Sequence, residues 1–193
     1  GEKAIEELPT HGKVGYVSAN HNAVEDYVAF AVSTIDCRLD GMKIAVDCAN
    51  GASYETAFKA LNKLGANVEA IHNTPDGVNI NHMCGSTHME SLQAYVTSIG
   101  ADIGIAFDGD ADRMLAVDEN GKLIDGDQIM AACAKFMRDN GTLKQNTLVA
   151  TVMSNLGLFM AGEKIGINIP RTKVGDRYVL EEMLAKGYNI GGT

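Results

Sequence analysis

Three aspartates alternate in Asp108-Gly-Asp-Ala-Asp-Arg113, directly after the apolar run Ile103-Gly-Ile-Ala-Phe107. Carboxylates this close repel one another unless a hard cation neutralises them, so a divalent ion is expected between them. Magnesium is the expected occupant, since it takes a few carboxylates together with a phosphate oxygen. The neighbouring Arg113 offers a planar fork suited to that phosphate. Asp108, Asp110 and Asp112 are therefore candidate metal ligands, and Arg113 a candidate catalytic cation. The competing reading is a solvated acidic turn, which the buried-strand character of the preceding run disfavours.

Two other uses of such a loop fail on spacing. An EF-hand would take Asp108, Asp110 and Asp112 as its first, third and fifth positions, with Glu119 at the twelfth. Its sixth position needs glycine for a sharp turn, whereas Arg113 stands there, and a strand rather than a helix should follow. Phosphatases of the haloacid-dehalogenase kind have Thr or Val where Asp112 sits, and their nucleophile follows the first strand of the unit, not the third.

The remaining polar residues have simpler readings. Gly85-Ser-Thr-His88 could form an anion nest at a helix start, but capping by Thr87 and Glu90 alone accounts for the pattern and is the favoured reading. His72, His82 and His88 show no metal spacing and read as loop or surface residues. Cys48, Cys84 and Cys133 read as buried inert thiols, and the methionines as core filling. Asn50-Gly51 reads as a tight turn from strand to helix. The four cysteines show no C-x-x-C pair, which fits a reducing cytoplasm.

The elements that must position these groups follow from periodicity. Val24, Tyr27, Val28 and Ala31 fall at helical spacing, after an irregular lead-in over residues 1–15. A strand is expected at Ile44–Cys48, a helix over 53–64 closed by Gly65, a strand at Asn67–His72, a helix from Thr87 to Gly100, and a strand at Ile103–Phe107. The order strand, helix, strand, helix, strand predicts a mainly parallel sheet. Met114–Asp118 then turns at Glu119-Asn-Gly-Lys122. A second unit is expected from there: helix 127–138, strand 146–152, helix 154–164, strand 167–171, helix 177–186. The fold class is α/β, two consecutive three-layer α/β units with mainly parallel or mixed sheets. The expected divisions are a lead-in and linker helix at 1–38, a metal-loop unit at 39–120 and a second unit at 121–193. A chain of 193 residues, 46% hydrophobic, is long enough for these cores. Its net charge of −9 argues against nucleic-acid binding, and no run approaches the length of a membrane helix.

Several stretches in one order resemble the α-D-phosphohexomutase superfamily and, within it, the phosphoglucosamine mutase family. They are Leu39-Asp-Gly-Met-Lys-Ile-Ala-Val-Asp-Cys-Ala-Asn-Gly-Ala52, Pro75-Asp-Gly-Val-Asn-Ile-Asn81, Cys84-Gly-Ser-Thr-His88, the Asp loop, Thr151-Val-Met-Ser-Asn-Leu-Gly157 and Arg171-Thr-Lys-Val-Gly-Asp-Arg-Tyr-Val179. The resemblance implies a four-domain enzyme that interconverts glucosamine 6-phosphate and glucosamine 1-phosphate through a phosphoserine and a bisphosphate intermediate, with Mg2+ between the phosphoserine and the three aspartates. It implies that Arg113 steadies that phosphate. It also places Lys173, Gly175, Asp176 and Arg177 in the loop lining the sugar site of the third domain. Phosphomannomutase and phosphoglucomutase activities are the neighbouring alternatives.

The same resemblance marks what differs. The family's Thr-Ala-Ser-His-Asn-Pro motif is not matched, since Ser18-Ala-Asn-His-Asn22 lacks the proline and scrambles the order. Thr193 stands where the sugar-recognition loop would have Glu. The chain is therefore expected to hold domain two and part of domain three, with a truncated second sheet whose open edge either frays or pairs with another copy as a homo-oligomer. By itself it is expected to be inactive. The alternative class is a noncatalytic α/β binding module.

Overall fold

The apolar run that begins near Met42 forms the centre of the first sheet in the computed structural model, which describes residues 9–193. The first eight residues of the expected lead-in lie outside the described residues. Strands β1 (Lys43–Asp47), β2 (Asn67–Ile71), β3 (Ile103–Phe107), β4 (Met114–Asp118) and β5 (Leu123–Ile124) make a five-stranded sheet in the order β2-β1-β3-β4-β5. β1 pairs in parallel with both β2 and β3, while β4 and β5 add antiparallel. The Glu119–Lys122 turn is the expected hairpin, braced by the Asp118 carboxylate, which accepts from the Asn120 and Lys122 amides. β5 beyond it still belongs to the first sheet, so that sheet runs past residue 120.

Helices cover both faces because the strands are apolar on both. α3 (Glu90–Ile99) lays Leu92 and Val96, both fully buried, against Ala45, Ala106 and Val117. Burying each such side chain contributes about 1.5–3 kcal/mol. On the other face α2 (Thr56–Lys63) covers Ile44, Val46 and Cys48, and α1 (Ala23–Ser33) packs on α2. Gly65 ends α2 at φ +101, the left-handed cap expected there. The Thr87-x-x-Glu90 capping box is not formed. Residues 85–87 make a 3-10 turn, and α3 begins after Met89, whose burial in the Leu92–Val96 core fixes the entry. The box occurs instead at Asp125 and Gln128, which start α4.

The second unit is built from α4 (Gly126–Asp139), β6 (Ala150–Thr151), α5 (Leu156–Ile165), β7 (Arg171–Thr172) and α6 (Asp176–Lys186). β6 and β7 are parallel, and single bridges join Thr147 to Asn168 and Val149 to Gly191. These strands are shorter than the periodicity implies. Pro170 has no N–H to give the ladder, although its carbonyl accepts from Ala150, and Gln145 and Asn146 turn left-handed before the strand can start. Ala134, Leu148, Ala150, Leu158 and Ile167 form the core. Cys133, expected inside, lies exposed on α4, because its neighbours Met130, Ala134 and Met137 take the inward face. Several methionines, among them Met83, Met153 and Met160, are likewise on the surface.

Candidate active site

The Asp loop hangs from the C-terminal end of β3, where open α/β sheets place their ligands. One carboxylate oxygen from each of Asp108, Asp110 and Asp112 lies within 4.8 Å of the others. Asp108 is buried and the other two are exposed, so the cluster is anchored at its base and open to solvent above. Ala111 takes a left-handed φ of 61°, which turns the loop back so that the Asp112 side chain faces its predecessors.

Arg113 closes the loop at its far end. Its Nε and a terminal nitrogen lie 2.9 and 2.8 Å from Asp108 Oδ2, and its backbone N–H donates to Asp108 Oδ1 at 3.2 Å. The guanidinium is also 3.4 Å from Asp112 Oδ1. Burial pushes Asp108 up, but the Arg113 hydrogen bonds and charge outweigh it and hold the carboxyl below its usual range. Asp112 moves the other way, raised by desolvation first and then by the negative charges of Asp110 and Asp108. The loop therefore carries more negative charge than one Arg balances. An all-oxygen donor set with that surplus fits a hard divalent cation.

The loop is seated on backbone as well as on the Ile80 and Asn81 side chains, which lie against Gly109. Ala52 N–H donates to Gly109 O at 2.8 Å, and a Cβ at Gly51 would run into the Gly109 backbone, its Cα only 2.7 Å away. Gly85 meets the Phe107 carbonyl just as closely, at a φ of +71°. The turn at Asn50-Gly51 thus does more than join strand to helix: Gly51 and Ala52 are the backbone against which the Asp loop rests. Beside the loop, Tyr27, Ala52, Ala57, Ile105, Asp110 and Met114 line an apolar cleft of about 420 Å³ between α1, α2 and the sheet.

The second group of candidates stays apart. Lys173 lies with its Nζ 5.6 Å from the Tyr178 ring centroid, in an open groove of about 410 Å³ that also includes Arg171 and Glu181. Gly175, at φ +125°, leads into α6, where the Asp176 carboxylate accepts from the Arg177 amide and Arg177 pairs with Glu181 at 2.8 Å. Arg177 thus pairs within its own helix, on an exposed face.

A further cluster has no counterpart in the sequence motifs. His72 is not a free loop residue: its Nδ1 is 2.9 Å from Oδ2 of Asp47, which is fully buried at the end of β1. Cys84 completes a set whose ligand atoms lie within 4.8 Å of one another. The one signal in the sequence is Asp47 itself, a carboxylate ending an otherwise apolar buried strand.

The chain also matches known proteins along most of its length. Residues 23–121 match the model for phosphoglucomutase/phosphomannomutase α/β/α domain II, and residues 125–192 match the model for domain III. The phosphoglucosamine mutases of Clostridium acetobutylicum and Ruminiclostridium cellulolyticum are each 59% identical, over 96% and 95% of this chain. The chain spans 41% of the length of each. Among solved structures, a phosphoglucomutase/phosphomannomutase family protein from Burkholderia thailandensis aligns over 88% of this chain and 37% of its own, with TM-score 0.74 and 26% identity. The Aspergillus fumigatus N-acetylphosphoglucosamine mutase, solved with GlcNAc-6P and magnesium, shares the fold over 84% of this chain and 36% of its own, with TM-score 0.62 and 23% identity. No helix among the described residues is long and apolar enough to cross a membrane.

Proposed function

The chain belongs to the phosphoglucomutase/phosphomannomutase family, and from that premise we propose that it supplies the cation loop and one sugar-facing loop of a phosphoglucosamine mutase. The observation that carries the proposal is the convergence of Asp108, Asp110 and Asp112 beside Arg113. The choice of glucosamine phosphate over other hexose phosphates follows the 59% identity to the two clostridial mutases.

In this reading the three aspartates hold Mg2+. A bound Mg2+ would offset charge on a phosphoryl group as it transfers. Asp108 is the fixed ligand, since its burial and its backbone bond to Arg113 leave it one position. Asp110 and Asp112, both exposed, would supply the remaining protein ligands. Arg113 holds Asp108 in register and, with its side chain 73% exposed, presents its free edge outward to an incoming phosphate. Lys173, Gly175, Asp176 and Arg177 are assigned to the sugar side: Lys173 as a cation for phosphate or hydroxyl, Gly175 and Asp176 at the helix start, and Arg177 after release from Glu181. A Thr-Ala-Ser-His-Asn-Pro stretch to carry the phosphoryl group is not among these 193 residues. The chain alone is therefore proposed to show no turnover of glucosamine 6-phosphate above a blank.

The test is a chimera in which residues 23–192 replace the matching part of the Clostridium acetobutylicum relative. It should convert glucosamine 6-phosphate to glucosamine 1-phosphate in a chelator-sensitive reaction, and Asp110→Asn should slow it by about 100-fold or more. A folded chimera that turns over equally well with Asp110→Asn would remove the assignment.

A further inference from the structure

We propose that Asp47, His72 and Cys84 form a second metal site, distinct from the Asp loop and suited to a borderline-soft divalent cation such as Zn2+. The proposal rests on the geometry of these three residues and not on the mutase reading. They come from three separate places: the end of β1, the residue after β2, and the start of the 3-10 turn at Gly85–Thr87. The parallel register that pairs Asp47 with Ile71 sets His72 beside the Asp47 side chain. Gly85 N–H donates to Asp47 Oδ2 at 3.0 Å, which brings Cys84 to the same point. Their ligand atoms lie within 4.8 Å of one another.

Oxygen, imidazole nitrogen and thiolate sulfur together are a donor set that zinc takes and magnesium does not. Two anions and one neutral imidazole balance a divalent charge. Asp47 and Cys84 are fully buried, whereas the His72 side chain is 31% exposed, so the cluster opens to solvent on one side only. A water reaching the cluster past His72 would supply the fourth ligand that three-ligand zinc sites take.

The surrounding bonds orient the donors as outer partners of metal ligands do. Ala49 N–H donates to Asp47 Oδ1 at 2.9 Å, and Asn50 Nδ2 lies 3.9 Å from Cys84 Sγ. Asn50 is itself held, its Oδ1 accepting from Thr74 N–H at 3.1 Å. Without metal, a hydrogen is shared between Asp47 Oδ2 and His72 Nδ1, and burial together with the Asp47 charge keeps the Cys84 thiol protonated. Binding a divalent ion would replace the shared hydrogen and the thiol proton. Occupancy would tie the polar loop over 73–84 to the ends of β1 and β2.

Cobalt(II) serves as the probe, because thiolate ligation gives it a charge-transfer absorption that oxygen ligands do not. The 193-residue chain carrying Cys37→Ser and Cys133→Ser, which removes the two exposed thiols, is titrated with Co2+ and then with Zn2+. A saturable thiolate-to-cobalt band bleached by Zn2+ is expected. It should be retained in Asp110→Asn, lost in Cys84→Ser, and need about tenfold more Co2+ or beyond in His72→Gln. Circular dichroism reports whether each variant folds, and His72→Gln, at a part-exposed position, stands if Cys84→Ser does not. No band in the folded parent would overturn the proposal. So would a band that survives Cys84→Ser, or one indifferent to His72→Gln.

Discussion

The Arg113 guanidinium is the close cationic partner of the buried Asp108 carboxylate, meeting Oδ2 at 2.8 and 2.9 Å. Removing it strands a desolvated charge, and leaving one member of such a pair alone costs about 1–3 kcal/mol. Arg113→Gln should therefore lower the urea midpoint at neutral pH, and added Mg2+ should recover part of the loss by binding the same carboxylate. An unchanged midpoint would mean that Asp108 is stabilised by backbone alone.

That pair also gives a pH dependence. Asp108 is held below its usual range in the folded chain, so its contribution is complete above the ordinary aspartate value of about 4 and disappears as pH falls through the lower folded value. Stability should decline more gently below pH ~4 in Arg113→Gln than in the parent. Parallel acid-unfolding curves would contradict it.

Gly51→Ala tests the seating of the Asp loop. The new Cβ would collide with Gly109 backbone, which cannot swing aside as a side chain tip can. The variant should lose about 1–3 kcal/mol and bind Mg2+ more weakly, because Gly109 lies between two of the aspartates. Thermal unfolding and metal titration of the same sample decide it; full affinity at reduced stability would show that the loop does not depend on this contact.

Much of this arrangement is legible in the amino-acid order. Strands β3 and β4 appear where the pattern puts them, because Ile103–Phe107 is apolar or small throughout and the charges begin abruptly at Asp108. The convergence of the three carboxylates follows from that position. The Asp47–His72–Cys84 cluster is not legible in the same way, since its members meet only through the parallel β1–β2 register and the 3-10 turn. The Thr87 capping box goes unused because burial of Met89, a tertiary effect, decides where α3 begins. Pro170 explains the short second sheet, and its carbonyl bond to Ala150 shows why the segment still lies in place.

The cysteines should divide in two on alkylation. Burial, assisted by the Asp47 charge and opposed by the Ser53 hydroxyl, pushes Cys48 up to about 11, and burial raises Cys84 as well. Thiolate is the reactive form, so iodoacetamide at pH ~8 should label exposed Cys37 and Cys133 in the folded chain and all four cysteines only in denaturant. Rapid native labelling of Cys48, read by mass spectrometry, would mean that β1 opens locally.

Backbone protection should differ between the two sheets. β1 and β3 are five-residue strands in the interior of a five-stranded sheet, whereas β6 and β7 pair over two residues each. Local opening follows the contact a segment retains. Amides of Leu148 and Ala150 should exchange faster than those of Ala45 and Ile105 in a demonstrated monomer. Equal protection would show that the second unit is held as firmly as the first.

Calorimetric titration of Mg2+ into the 193-residue chain, alongside Asp110→Asn, bears most directly on the central claim that the three aspartates form a hard-cation site. One weak saturable site is expected, weak because this chain brings no phosphate oxygen to complete the shell. Asp110→Asn should weaken it by about tenfold or more, about 1.4 kcal/mol, while the fold is kept, since Asp110 is exposed. Binding that is indifferent to Asp110→Asn, or calcium held far more tightly than magnesium by the parent, would contradict the account.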